Sequence, residues 1–254
     1  MDREALSNID WPAWVSRWDR MQEGYLVARD ERFAVIARLV RETQGEAPCI
    51  LDLGCGTGSL MAVLLEAIPG AQVLGLDLDP TLLPLAEKRL SAFGSRGRVD
   101  LADLTRKSWL DLVTGPVNAA VSATALHWLS PDQLAVLYSQ VAGLLSPGGI
   151  FLNADHVASD APVVQAGWVR HRDEMRAARG NPAGDDWNGF WQAYLAALGP
   201  GAQAARRQAL GDWQGIEDGM PLAWHFDQLR RAGFSSMDCF WRCDCDAVYG
   251  GVRS

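Results

Sequence analysis

The stretch "ILDLGCGTGSL", Ile50–Leu60, decides the fold class. Its apolar run ends at Asp52, and three alternating glycines, Gly54, Gly56 and Gly58, then lead into a segment with helical apolar spacing. Glycine adopts positive φ and lets a ligand approach the backbone closely, at a cost in conformational entropy. After a buried strand, such a loop predicts contact with a nucleotide-like cofactor, and a tight strand-to-helix turn without a ligand is the structural alternative.

Two carboxylates and the glycine spacing narrow the kind of cofactor. The dinucleotide fingerprint G-x-G-x-x-G has its third glycine where this chain has Ser59, and no G-x-x-x-x-G-K-[ST] sequence is present to form a P-loop. Asp77 ends the next predicted strand, where a carboxylate can accept both hydroxyls of a ribose. Asp103 follows the third predicted strand, at a place suited to an adenine amino group.

The pattern from about residue 48 onward predicts an α/β fold. Short apolar runs alternate there with helical stretches. Apolar strands without polar alternation, joined by helices, indicate a parallel sheet covered on both faces. The predicted strands are 49–53, 71–78, 99–102, 117–123 and 149–155, and the predicted helices are 59–68, 80–93 and 131–145.

Three further regions extend this core. A helix at 221–234 precedes two successive strands, 235–243 and 245–252, which predict an antiparallel hairpin closing one edge of the sheet. Residues 1–45 and 156–220 are helical in pattern and rich in tryptophan. We interpret these two segments as a cap with an aromatic-lined pocket over the edge where such sheets bind ligands. Simple packing of extra helices on the core is the alternative.

Composition limits the class of protein. The chain has 254 residues and a net charge of -8, with a pI of about 5.0, which disfavours a nucleic-acid partner. No apolar run approaches the length of ~18 residues that a membrane span requires. Five cysteines without an export signal point to a reducing cytoplasm. Cys239, Cys243 and Cys245 match no standard zinc spacing, and no metal is expected.

The glycine loop with its two downstream carboxylates resembles the class I S-adenosylmethionine-dependent methyltransferases. "LDLGCGTG", residues 51–58, matches the first motif of that family closely. The resemblance implies a Rossmann-like sheet of seven strands whose last strand is antiparallel. The resemblance covers most of 46–155 and the C-terminal hairpin. With the helical segments read from the pattern, the predicted domain plan is 1–45 as N-terminal cap segment, 46–155 as S-adenosylmethionine-binding core, 156–220 as helical insertion over the substrate pocket, and 221–254 as the helix and hairpin that complete the core.

The same resemblance assigns roles to cofactor-binding residues. Gly54 and its neighbours contact the methionine moiety, and Asp52 supports its ammonium. Asp77 holds the ribose hydroxyls and Leu78 packs on the adenine. The remaining residues expected at the cofactor are Cys55, Gly56, Gly58, Asp103, Leu104 and Ala123.

The segment after the fourth strand concerns the methyl acceptor. It reads "SATALHWLS", residues 122–130, without the Asn/Asp-Pro-Pro-aromatic motif of nucleic-acid amino-methyltransferases. "ALHWL" resembles the trans-aconitate and juvenile-hormone-acid methyltransferases, which act on carboxylates. That resemblance implies a small carboxylic acid as acceptor, held by a tryptophan and by a glutamine from an N-terminal helix, for which Trp128 and Gln22, with Tyr25 nearby, are the candidates. His127 ends the fourth strand, where a catalytic or substrate-orienting histidine belongs. A structural role for His127 and a place for Trp128 in the wall of the cofactor pocket are the alternatives.

Two alternatives stay open. Asp155 and His156 end the fifth predicted strand and could act as a base pair for an amine, carbon or hydroxyl acceptor. A non-catalytic module that retains the cofactor site is the second alternative. His171 and His225 are expected to be surface or packing residues, and the oligomeric state is left open.

Overall fold

The computed structural model describes residues 9–179, 186–211 and 215–254, and a seven-stranded sheet forms its centre. The strands are β1 Cys49–Leu53, β2 Gln72–Asp77, β3 Gly97–Leu101, β4 Val117–Ala123, β5 Leu145–His156, β6 Phe234–Cys243 and β7 Asp246–Arg253. Their order is β3-β2-β1-β4-β5-β7-β6. The pairs among β1 to β5 are parallel, and β7 is antiparallel to both β5 and β6. The predicted sheet with its antiparallel C-terminal hairpin is confirmed.

The strand order fixes where a ligand can bind. The chain moves outward from β1 to β3 and then returns to place β4 on the other side of β1. The loops after β1 and β4 therefore leave in opposite directions and open a crevice at the carboxyl end of the strands. The glycine loop and the "ALHWL" segment both lie at this crevice, since they follow β1 and β4 directly.

Helices cover both faces of the sheet. Ile50 and the following Leu51 of β1 point to opposite faces, as alternate strand residues must. One face packs against Phe33 and Leu64, and the other packs against Leu137. The described helices are α1 Trp11–Tyr25, α2 Arg29–Gln44, α3 Ser59–Ala67, α4 Leu83–Leu90, α5 Pro131–Leu144, α6 Pro162–Arg179, α7 Trp187–Leu198, α8 Ala202–Leu210 and α9 Leu222–Ala232.

The segment 1–45, expected to form one cap, divides into two parts of different kind. α2 packs directly on the sheet through Phe33, Ile36 and Val40, which are buried in its main core. α1 instead packs with α4 and α7 in a separate aromatic cluster. The buried members of this cluster are Trp11, Trp18, Met21, Leu82, Leu85, Phe190, Trp191, Tyr194, Leu198 and Ala202. Trp213, another tryptophan of the segment 156–220, lies outside the described residues.

Two elements start three or more residues away from the position that the sequence predicts. The helix expected from Pro80 begins at Leu83, because the Asp79 carboxylate accepts bonds of 2.9 and 2.6 Å from the amide and hydroxyl of Thr81 and holds a turn there. The strand expected at 149–155 is the longer β5, which starts at Leu145. Within the described residues, no helix is both long and apolar enough to cross a membrane.

Candidate active site

The glycine loop has a backbone that requires glycine. Gly54, Gly56 and Gly58 have φ of +75°, +53° and +71°, a region that residues with a side chain rarely adopt. A Cβ atom on Gly54 would lie 2.4 Å from Cβ of Ala125, in the loop after β4. The amides of Gly54 and Cys55 also donate to the carbonyl of Leu76 in β2. The loop is thereby pinned between the carboxyl ends of β2 and β4.

Asp77 closes this loop from the end of β2. Its Oδ2 accepts a 2.7 Å bond from the amide of Gly56, and its Oδ1 accepts a 2.8 Å bond from the amide of Asp79. Burial raises the pKa of Asp77 to about 6, and these two hydrogen bonds oppose that rise. The carboxylate predicted to bind the ribose thus lies against the backbone of the glycine loop.

Asp52 is a buried carboxylate without a counter-charge. Its side chain is 1% exposed, and neither oxygen has a hydrogen-bond partner among the described residues. Burial, with the nearby Asp77 charge, raises the pKa of Asp52 to about 8. An ionised carboxylate in this position is costly unless a cation pairs with it. The ammonium of S-adenosylmethionine is such a cation, so the residues present fit this cofactor.

The other expected cofactor residues lie along the same edge. Asp103 accepts bonds of 2.9 and 2.6 Å from the amide and hydroxyl of Thr105, so its carboxylate is engaged within its own turn. Leu104 packs against the sheet core, and Leu78 and Ala123 are half-buried. Cys55 is buried, and burial raises the pKa of its thiol well above the ordinary value. Contacts of these residues with the cofactor stay predictions.

His127 and Asp155 form a close pair at the ends of β4 and β5. The imidazole Nδ1 lies 2.6 Å from Oδ1 of Asp155, and the His127 amide donates to Oδ2 at 3.1 Å. Burial alone lowers the pKa of His127, but the carboxylate raises it by a larger amount, so the net shift is upward. The charged imidazole in turn outweighs burial and lowers the pKa of Asp155. Trp128, the next residue, is 42% exposed.

His156 has a carboxylate partner of its own. Its Nδ1 lies 3.0 Å from Oδ1 of Asp246, at ion-pair distance and without the alignment of a hydrogen bond. Arg32, 1% exposed on α2, donates to the same Oδ1 at 3.2 Å and to the carbonyl of Ala154 at 2.7 Å. The interpretation of Asp155 and His156 as one base pair is therefore revised, because each carboxylate serves a different imidazole.

The three side chains also raise the question of a metal ion. Ligand atoms from His127, Asp155 and His156 lie within 4.8 Å of one another. Two atoms bound to one transition metal at about 2.0–2.2 Å stand about 3 Å or more apart. The 2.6 Å contact between His127 and Asp155 has the length of a hydrogen bond. The geometry favours two imidazole–carboxylate pairs.

Helix α1 is fastened to the glycine loop one turn before Gln22. Arg89 donates to both oxygens of Asp19 on α1, at 2.9 and 3.0 Å, and to the carbonyl of Thr57 at 2.9 Å. Gln22 is 8% exposed, and its amide contacts the sulfur of Met21. Tyr25 is engaged elsewhere, since its hydroxyl accepts from the amide of Trp187 at the start of α7.

Several polar residues of this edge were missed from sequence. Arg32, Asp246, Asp19 and Arg89 act through long-range pairs, and the sequence shows them only as isolated charges. Asp246 opposes His156 in the β5–β7 register, which the strand order must supply first. His225, expected on the surface or in packing, is buried against Tyr138 and Tyr249, and burial lowers its pKa to about 4.

Comparison with known proteins identifies the family. Residues 50–149 match the family model described as a methyltransferase domain. The trans-aconitate 2-methyltransferase of Methylobacterium radiotolerans is 30% identical over 259 residues, covering 94% of this chain and 90% of that protein. The enzyme of the same name from Streptomyces avermitilis is 33% identical over 141 residues, 54% of this chain and 50% of that protein.

A solved structure supports the fold. An O-methyltransferase family protein from Burkholderia thailandensis superposes with a TM-score of 0.59 at 18% identity, over 94% of this chain and 68% of its own. The alignment over nearly the whole length of the Methylobacterium enzyme includes the cap helices as well as the sheet. The chain belongs to the class I S-adenosylmethionine-dependent methyltransferases, in the branch of the trans-aconitate methyltransferases, and S-adenosylmethionine is its cofactor.

Proposed function

We propose that this enzyme methylates a carboxylate of a small organic acid. The observation that carries the proposal is the His127–Asp155 pair at the carboxyl end of β4. Asp155 raises the pKa of His127, which favours an imidazolium there. A cation binds an acceptor carboxylate well, whereas a general base must be neutral before it can take a proton. The relatives named for trans-aconitate, a tricarboxylic acid, agree with an acid as acceptor.

The proposed roles follow from the positions of the side chains. Asp52, Asp77 and the glycine loop hold the cofactor, which when bound supplies a methyl group on a positively charged sulfur for in-line displacement by a carboxylate oxygen. A carboxylate is already ionised at neutral pH, so the protein needs to orient it and exclude water rather than deprotonate it. His127 and Trp128 supply N–H donors for this purpose, and Gln22 supplies an amide from α1.

The test is a methyl-transfer assay with paired acceptors. Trans-aconitate and smaller mono- and dicarboxylic acids are compared with amines and phenols of similar size, and formation of S-adenosylhomocysteine is measured. We expect turnover of at least one acid. His127→Gln should raise its KM about tenfold, the effect of losing a hydrogen bond to a charged group. His171→Gln is the matched control, since His171 lies on the exposed part of α6 and pairs with Asp244.

The pH profile distinguishes the two roles of His127 by sign. An imidazolium that binds the acceptor is present below its raised pKa, so kcat/KM should be flat above the acid's own pKa and fall as pH rises through that of His127. A general base would give the opposite limb, with kcat/KM rising through the same pKa. A rising limb, or turnover of amines or phenols alone, would overturn the carboxylate proposal and leave the methyltransferase assignment intact.

A further inference from the structure

A second imidazole lies beside the proposed carboxylate-binding histidine. The ring centroids of His127 and His156 are 5.0 Å apart, and the rings are inclined by 54°. Both side chains are largely buried, 11% and 10% exposed. In each ring Nδ1 faces a carboxylate, Asp155 for the first and Asp246 for the second. A ring held through Nδ1 presents Nε2 on its opposite side, as in histidines that bind ligands or substrates.

His156 is held by a buried charge network that includes none of the residues assigned above to the cofactor. Asp246 stands opposite it in the β5–β7 register, and Arg32 from α2 binds that carboxylate and the carbonyl of Ala154. Arg32 and His156 together outweigh burial and lower the pKa of Asp246, which is therefore ionised. A buried arrangement of this kind is expensive to build for packing alone, because apolar residues of similar size would do that at lower cost.

The charges of the two pairs leave room for one anion. Arg32 and an imidazolium at His127 offset the two carboxylates, Asp155 and Asp246. An acceptor carboxylate adds one negative charge, which two neighbouring imidazoles can meet with N–H donors. Glu217, in the segment 215–220, is a further carboxylate that raises the pKa of His127, and it is exposed. Two imidazoles can bind the two oxygens of one carboxylate, whereas a single imidazole leaves one oxygen to other donors.

The segment 215–220 fixes the two histidines relative to each other. The amide of Ile216 donates to the carbonyl of His127 at 3.1 Å. At Gly219, φ is +71°, and a Cβ atom would lie 2.1 Å from the carbonyl oxygen of His156. Ile216 and Met220 line a narrow cavity together with both imidazoles. The same short segment therefore contacts the backbone of both residues and closes one side of the space between them.

We infer that His156 is a second specificity-determining residue, which binds the acceptor's carboxylate together with His127. The inference rests on the proposed carboxylate acceptor. It assigns to the Arg32–Asp246 pair the role of positioning His156, and it predicts that an acceptor without an anionic group gains nothing from this histidine.

The test is a double-mutant cycle with the best acid found. His156→Gln should raise the acceptor KM about tenfold and leave the KM for S-adenosylmethionine unchanged. In the variant carrying both His127→Gln and His156→Gln, the increase should be clearly smaller than the product of the two single increases, because both residues bind one group. His171→Gln is again the control. An acceptor KM within twofold of wild type for His156→Gln would overturn the inference, even with the acid still methylated.

A spectroscopic measurement covers the case in which a variant fails to fold. The wild-type enzyme is labelled at its histidines and saturated with S-adenosylhomocysteine and the acid, and imidazole nitrogen signals are recorded by NMR. The signals of both His127 and His156 should shift when the acid is added, and the His171 signal should stay in place. Movement of the His127 signal alone would show that His156 does not bind the acceptor. Absence of any methylated acid would instead defeat the proposed function.

Discussion

Buried aspartates at the two ends of the active edge have pKa values shifted in opposite directions. At the cofactor end, Asp52 and Asp77 have no cationic side chain beside them among the described residues, and burial raises the pKa of both. At the acceptor end, Asp155 and Asp246 pair with imidazoles, and the pKa of both is lowered. The first end is thereby prepared for a cationic ligand, and the second presents cations to an anionic one. A sulfonium donor and a carboxylate acceptor have these two charges.

The strongest way to break this comparison is to displace the glycine loop. Gly54→Ala adds a Cβ at φ +75° and 2.4 Å from Cβ of Ala125. Positive φ costs about 1–2 kcal/mol, and the overlap adds more, so we expect the free energy of unfolding to fall by about 3 kcal/mol and cofactor binding to be lost. Denaturant unfolding and calorimetry measure the two effects.

Gly115→Ala is the matched control for that variant. Gly115 has φ of +93°, but nothing lies within 4 Å of an added Cβ. The free energy of unfolding of Gly115→Ala should fall only by the cost of the φ angle, about 1–2 kcal/mol, and its affinity for the cofactor should be unchanged. Equal losses of unfolding free energy in the two variants would show that the close approach of Gly54 to the loop after β4 does not contribute to stability.

The second expected effect concerns the carboxylate at the end of β2. Asp77→Ala removes the acceptor that we propose for the ribose hydroxyls and the partner of the Gly56 amide. S-adenosylhomocysteine should bind more weakly by about 1–3 kcal/mol in calorimetry. Asp100→Ala, at a surface carboxylate paired with Arg98, should leave the affinity unchanged. A folded Asp77→Ala protein with wild-type affinity would contradict the ribose assignment.

A third effect tests the charge of the cofactor end through pH. Because the pKa of Asp52 is raised to about 8, this group favours the folded state at low pH and loses that contribution as pH rises toward 8. Between pH 6 and pH 8 the unliganded wild type should lose about 1–3 kcal/mol that the Asp52→Asn variant retains. The variant should also bind the cofactor less tightly, since the ammonium loses its counter-charge. Parallel stability curves for the two proteins would contradict this assignment.

The parts of the predicted cofactor end are local in the sequence, which is why a prediction could be made for them. The glycine loop, Asp52 and Asp77 belong to two consecutive strand–loop units. A single physical requirement explains why each of these positions has its residue type. The acceptor end depends on long-range pairs: Asp246 reaches His156 only through the β5–β7 register, and Arg32 reaches Asp246 from α2. The apolar pattern of α2 likewise did not reveal that it packs on the sheet while α1 packs in the cap cluster. Those outcomes depend on tertiary packing, which hydrophobic period alone does not specify.

The smallest expected effect concerns the attachment of α1 to the glycine loop. Arg89 links α4, Asp19 on α1 and the carbonyl of Thr57, and Ser59 lies 3.5 Å from the same Asp19 carboxylate. The pair is partly buried and bidentate, so Arg89→Ala should lower the free energy of unfolding by about 1 kcal/mol. The larger consequence is mobility: α1 carries Gln22, and loosening it should raise the acceptor KM several-fold.

Hydrogen exchange and two matched variants separate this attachment from ordinary surface charge. Backbone amides of α1 should exchange faster in Arg89→Ala, and S-adenosylhomocysteine should protect them less than in wild type. Arg89→Lys keeps the charge without the bidentate geometry and should give an intermediate result. Arg38→Ala, which removes an exposed pair with Glu42 on α2, should change neither exchange nor acceptor KM. If Arg89→Ala leaves the exchange of α1 unchanged, the glycine loop does not hold the cap helix, and the position of Gln22 depends on other contacts of α1, such as the aromatic cluster and the Arg29–Asp19 pair.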